Sequence, residues 1–199
     1  MKHQEHIVCV KASKAAHGEN GLIEYELRLE DLMLGQRASL EKDEDFRQVL
    51  PISVFTHDGK VWIYQRTTSG GESRLHNLIA AAVGGHWDME DIVFEGSVID
   101  IGKSLAKAME RELAEEVKLT SKIIRSRRLP KMICSDETEV DRVHMAMIYV
   151  HELDGEGVES AEEQLRSIGF RAPEELLKGE YNLETWARII CEILINEKK

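Results

Sequence analysis

Residues 104–119, Ser-Leu-Ala-Lys-Ala-Met-Glu-Arg-Glu-Leu-Ala-Glu-Glu-Val-Lys-Leu, constrain the fold more than any other stretch. The segment has neither Gly nor Pro and is rich in strong helix formers, so it predicts a helix opened by Ser104 as N-cap. At about 100° per residue, Leu105, Ala108, Met109, Leu113 and Val117 form one apolar stripe. With Glu112 at 0°, Leu105 falls at about 20°, Met109 at about 60° and Leu113 at about 100°. Glu115 falls at about −60° and Glu116 at about 40°, so Glu112 and Glu116 lie within the apolar arc. Carboxylates at the edge of a buried face repel one another and lose hydration unless a cation joins them. Arg111 can pair with Glu115 one turn on, but one guanidinium does not neutralise three acids. Either the acids form a solvated face, or a hard divalent cation that prefers oxygen ligands holds them together.

The chain has 199 residues, enough for one substantial α/β domain with a small N-terminal addition. Its 42% apolar and 32% charged content marks a folded chain rather than a disordered one. No apolar run reaches the roughly 20 residues a membrane helix needs, and no signal-peptide pattern opens the chain. Cys9, Cys134 and Cys191 are far apart and read as free thiols of a reducing cytoplasm. A net charge of −11 argues against nucleic acid as a partner. It leaves room for a phosphate substrate, since a bound metal supplies positive charge.

Along the chain, residues 5–12 predict a short strand, and His17-Gly18-Glu19-Asn20-Gly21 a turn. Residues 22–45 are polar, with a short helix at 29–34 and an acidic loop at 41–45. Residues 49–56 and 61–67 are β-rich runs around His57-Asp58-Gly59-Lys60, a hairpin signal. A loop at 69–72, a strand over 76–83 and Gly84-Gly85-His86 follow. Residues 91–101 read as a strand or an extended insertion before the acidic helix. Strands are expected at 121–134, where Pro130 marks an edge or bulge, and at 143–153. Acidic and polar loops fill 135–141 and 154–164, and a short strand 165–171. A helix opened by Pro173 and a terminal amphipathic helix over 183–197 close the chain, the latter with Trp186, Ile189, Ile190, Ile193 and Leu194 inward. The sum is an α/β, more loosely α+β, fold with a mixed sheet.

The string Arg111-Glu112-Leu113-Ala114-Glu115-Glu116-Val117-Lys118-Leu119 resembles the core of the Nudix box, G-x5-E-x7-R-E-U-x-E-E-x-G-U with U aliphatic. With Gly84-Gly85-His86 ahead of it, the resemblance covers roughly residues 48–196, leaving 1–47 as an extension on the core or at a homodimer interface. Phe46 to Ile52 and Arg74-Leu75-His76 also look like one branch of that family. The resemblance implies an α/β/α sandwich with a mixed β-sheet, a Mg²⁺ or Mn²⁺ cofactor and hydrolysis of a phosphoanhydride in a nucleoside diphosphate-linked metabolite. It implies that Glu112, Glu115 and Glu116 are the metal ligands and that Arg111 orients one of their carboxylates.

Three positions depart from the pattern. The box glutamate eight residues before Arg111 is Lys103, and the box glycine fourteen before it is Ser97, with Gly85 able to take its role across an insertion. Asp88, Glu90, Asp91 and Asp100 in that insertion are candidate substitutes for the glutamate. The glycine near the end of the box is Lys118, so the helix is expected to end without a left-handed residue.

Charge neutralisation on phosphate and an activated water are what the chemistry needs. Glu112 and Glu116 at i, i+4 spacing are expected to hold the principal metal, with Glu115 completing the set. The general base is a box glutamate or an outside acid, with Glu137, Glu139 and Asp141 as candidates. Arg66, Arg74, His76 and the Gly84-Gly85-His86 segment are expected near phosphate, or else exposed at strand ends. Arg125, Arg127 and Arg128 form a basic patch, and Trp87 either stacks on a base or packs in the core. No zinc motif, G-x-S-x-G or P-loop is present. Two other readings share the fold: a nucleotide-binding sensor without turnover, and an isopentenyl-diphosphate-type isomerase, for which Cys134 is out of place.

Overall fold

A computed structural model describes residues 5–15, 18–67 and 73–197. The predicted loop at 69–72 and part of the turn at 17–21 lie outside these. The fold is α+β, with a many-stranded mixed sheet and short helices beside two long ones. The chain divides into two compact units. One comprises Met1–Ile52, Gly84–Glu112 and Leu129–Ile148, and the other Ser53–Val83, Leu113–Arg128 and Tyr149–Lys199.

In the first unit the Met33–Gln36 strand pairs with His6–Lys11, which pairs with the start of the Phe46–His57 strand, and Leu22–Ile23 pairs with Met132 and Ile133. The His6–Lys11 strand pairs antiparallel on both sides, Cys9 meeting Met33 on one and Gln48 on the other. Ile7, Val8, Cys9 and Val10 are accordingly buried, as a central strand requires. The strand expected over residues 5–12 is therefore present, paired on both of its edges. The helix expected at 29–34 shrinks to one 3₁₀ turn, Leu29–Asp31, because Met33–Gln36 is drawn into that sheet.

In the second unit, Lys60–Arg66 pairs with Leu165–Arg171, Trp62 opposite Phe170. The preceding turn is the predicted one: Asp58 and Gly59 both have positive φ, 47° and 73°, matching the twist of the flanking strands. Phe55, Trp62, Tyr64, Leu153, Val158, Leu165 and Phe170 form the core of this unit, and Leu113 packs against it. The expected strand over 76–83 is broken into Ile79–Ala80 and Val83–Gly84. Asn77 takes φ 63°, and Ile79 gives its backbone groups to Asn182 and Glu184 at 2.8 and 2.9 Å. The supposed loop 154–164 contains a strand, Val158–Ser160, paired with Val117–Leu119. The terminal helix is Thr185–Asn196 and buries Ala187, Ile189, Ile190, Cys191 and Leu194. Trp186 and Ile193, expected inward, are only half-buried.

The acidic helix is Ile101–Glu116, starting three residues before the predicted cap. Asp100 caps it instead, accepting Lys103 N–H at 2.9 Å, and these hydrogen bonds hold its carboxyl below the usual range. Ser104 is buried in the first turn. Its hydroxyl donates to Asp100 O at 2.6 Å and accepts Val93 N–H at 2.9 Å, fastening the insertion to the helix. All three cysteines are free and buried, and among the described residues no helix is long and apolar enough to cross a membrane.

Candidate active site

The site is built outward from Glu112. Its side chain is 12% exposed, and Arg111 Nη1 donates to its Oε1 at 2.5 Å. Gly85 lies directly against it: a Cβ on that residue would come within 2.3 Å of the Glu112 carboxylate. Gly84 is equally confined, its added Cβ falling 2.3 Å from Pro51 O. The two glycines are thus steric necessities of this approach.

Arg111 is the hub. Nη2 donates to Asp91 Oδ2 at 2.7 Å and to the His86 carbonyl at 3.0 Å, while Nε donates to Asp91 Oδ1 at 3.2 Å. Asp91 is 1% exposed, so its carboxylate needs this two-pronged partner. Hydrogen bonding to Asp91 raises the Arg111 pKa, burial opposes it, and the charge of Glu112 adds to the rise. Asp91 is itself fixed: Asp88 and Asp91 form a reciprocal capping box around the Met89–Asp91 turn.

Among the insertion acids, Asp91 therefore supports Arg111. Lys103, in the box-glutamate position, faces other partners, Asp100 at 3.1 Å and Glu95 at 3.3 Å. Ser97 sits in the turn of the Phe94–Glu95/Val98–Ile99 hairpin beside Gly96, whose φ is 63°. Lys118 enters the Val117–Leu119 strand, so the helix passes into a strand with no left-handed exit.

Further along the same helix, Glu115 is exposed and Glu116 half-buried. Arg66 Nε donates to Glu184 Oε1 at 2.5 Å, and its guanidinium lies 5.6 Å from the Tyr64 ring centroid. Burial opposes charge on Arg66, but its interactions with Tyr64 and with the Glu184 and Glu116 carboxylates outweigh it and raise its pKa. Glu116 therefore stands in the field of Arg66. Tyr64 is buried, donates to Ala82 O at 2.8 Å, and burial raises its hydroxyl pKa.

Other candidates separate. Arg74 is exposed and His76 half-buried. Arg125 and Arg127 line a cavity of about 420 Å³ with Asp58, Glu152 and Glu197, and Arg127 Nη1 donates to Glu197 at 2.8 Å. This patch is charge-balanced rather than basic. Trp87 is fully buried, so its indole is packing and not a stacking platform. Asp141 is buried in a capping box with Thr138, which removes it as a general base, while Glu137 and Glu139 are exposed.

Sequence reasoning missed His144, whose Nε2 lies 3.3 Å from His86 Nε2. A lone histidine opening a strand carries no local signal of a partner 58 residues away.

No family model matches the chain. It is 32% identical over 162 residues to Protein YmaB of Bacillus subtilis (strain 168), covering 80% of this chain and 76% of that protein. Among solved structures it superposes on Tm1382, provisionally assigned as a Nudix hydrolase, with a TM-score of 0.74 and 25% identity over 97% of this chain and 100% of that one. The NUDIX domain of Shewanella oneidensis NrtR, solved with ADP ribose, matches at a TM-score of 0.51 and 15% identity, over 76% of this chain and 88% of that one. With the box helix, the glycine pair against Glu112 and these likenesses together, the chain belongs to the Nudix hydrolase family, and it is a Nudix-type hydrolase. Protein YmaB is a relative in sequence, and Tm1382 a relative in fold across almost the whole chain.

Proposed function

We propose that the chain is a Mg²⁺- or Mn²⁺-dependent pyrophosphohydrolase, cleaving a phosphoanhydride in a small nucleoside diphosphate-linked metabolite. One observation carries this reading: Asp91 and Arg111 hold the Glu112 carboxylate against Gly85, on the helix that also carries Glu115 and Glu116. An all-carboxylate donor set fits a hard divalent cation. Glu112 and Glu116 are the principal ligands, one turn apart, and Glu115 completes the set. When bound, the cation neutralises phosphate charge and acidifies a water.

The chain's own groups do the rest. Arg111 aims Glu112, and the Gly84-Gly85-His86 backbone lies against its carboxylate. Arg66 and Arg74 balance substrate charge. With Asp141 engaged in capping, the general base is assigned to a box glutamate. The NrtR domain's ADP ribose supports a nucleotide-type ligand. Residues 1–47 as an extension packing on the core or at a dimer interface, a hydrolase domain at 48–199, and a cytoplasmic location suited to three free thiols belong to the same proposal.

The test is hydrolysis of a panel of nucleoside triphosphates, nucleotide sugars, ADP-ribose and dinucleoside polyphosphates with Mg²⁺, Mn²⁺ or EDTA. Wild type runs beside Glu116→Gln. Cation-dependent turnover lost in EDTA and in the mutant is expected. A nucleotide that raises the melting temperature without being turned over replaces this reading with that of a sensor.

A further inference from the structure

We propose that Glu41, His86 and His144 form a second cation site, with two nitrogen donors and one oxygen, suited to a borderline transition metal such as Zn²⁺. The three residues come from separate segments of one compact unit. Glu41 closes the Arg37–Leu40 helix, His86 follows the glycine pair, and His144 opens the His144–Leu153 strand. One donor atom from each lies within 4.8 Å of the other two.

Tautomer chemistry sets the arrangement. His144 Nδ1 lies 2.7 Å from the Val140 carbonyl, which only accepts, so Nδ1 carries the hydrogen. In neutral His144 the lone pair is then on Nε2, the atom facing His86 Nε2 at 3.3 Å. A carbonyl behind the ring is the usual means of orienting a metal-ligating histidine. With metal–nitrogen bonds of about 2.0–2.1 Å, the edge of a tetrahedral site is about 3.3–3.4 Å, the separation of the two nitrogens. Glu41 Oε1 stands 4.0 Å from His144 Nε2 and 3.7 Å from Arg37 Nε, and a side-chain movement away from Arg37 brings it to the third corner. His144 is 5% exposed, so a bound ion is shielded on that side.

The donor set separates this site from the acidic helix: imidazole selects zinc-like metals, whereas carboxylates alone select Mg²⁺. The inference does not depend on turnover. The His86 carbonyl also accepts Arg111, so an ion held by the His86 ring sits one peptide from the group that aims Glu112.

The test titrates the full chain with Co²⁺ in excess Mg²⁺, reading ligand-field absorption and paramagnetically shifted imidazole protons. One equivalent per chain with shifted imidazole signals is expected. Affinity should fall by more than about 100-fold in His86→Ala and in Glu41→Gln, since loss of a ligand exceeds the 10–100-fold loss of an outer partner. Glu112→Gln/Glu116→Gln should retain the signal, so failure of this site and failure of the hydrolase reading are told apart. These variants avoid the buried His144, and circular dichroism checks their fold. Absence of imidazole signals in wild type, unchanged Co²⁺ affinity in either His86→Ala or Glu41→Gln, or loss of the signals in the glutamate double variant would overturn the proposal.

Discussion

Arg111 with Asp91 and Arg127 with Glu197 are the same chemical object, a guanidinium fork on a carboxylate, in two settings. Asp91 has 2% of its side chain exposed, is braced by a capping box, and its arginine reaches on to Glu112 and a backbone carbonyl. Glu197 is 38% exposed and Arg127 35% exposed. Water competes for the second pair and holds both charges if it opens, so the pair contributes little. In the first, breaking the fork strands a buried charge. Geometry alike on paper is structural in one place and incidental in the other, because burial sets the cost of the broken state.

Breaking the buried fork gives the largest effect. Asp91→Asn should lose about 2 kcal/mol of stability in denaturant unfolding, the scale of a lost hydrogen bond to a charged group, because Arg111 is one-third exposed and keeps Glu112 and the His86 carbonyl. The same variant should lose activity, since Arg111 then no longer aims Glu112. Gly85→Ala probes the far side of Glu112 without touching a charge. Its methyl group displaces the carboxylate, and kcat/KM should fall by about 100-fold, as for a misplacement near 1 Å, with the circular dichroism spectrum kept.

A buried base lacking a counter-charge sharpens the contrast. The His151 ring nitrogens lie 2.8 Å from the Ser126 hydroxyl and 3.2 Å from that of Ser53, its ring packs on Phe55, and burial lowers its pKa below 6.5. The unfolded chain then binds this proton first as pH falls. The stability from keeping His151 neutral is complete above about pH 6.5 and is lost as pH drops toward the folded value. Thermal melts between pH 7.5 and 5 should show a decline that His151→Gln flattens. The smallest effect is that of Glu197→Gln, under about 1 kcal/mol and shrinking with salt.

The box helix was legible because helix propensity, apolar period and acid spacing all fall within 16 residues. The hairpin at Asp58-Gly59 was legible for the same reason, since turn chemistry is local. Its neighbour over 76–83 was not, because Ile79 answers to Leu183, a partner about a hundred residues away. The N-terminal strand pairings are equally non-local, so a polar segment at 22–45 concealed sheet. The helix cap shifted from Ser104 to Asp100 because two good capping residues lie four apart and only tertiary packing chose between them. In the site, the acids of the box were visible, while Asp91 was one of four candidates until burial singled it out. Lys103 stands where the pattern has a glutamate, and the carboxylate that meets Arg111 comes from the inserted turn, at one of the candidate positions.

The central claim is that Asp91, through Arg111, holds in place the Glu112 carboxylate, the proposed metal ligand. Mn²⁺ affinity measured by electron paramagnetic resonance on wild type, Asp91→Asn and Glu197→Gln tests it without needing a substrate. The account predicts binding weakened about 10–100-fold in Asp91→Asn, as for an outer-shell partner, and unchanged in Glu197→Gln. Equal affinity in wild type and Asp91→Asn would contradict it.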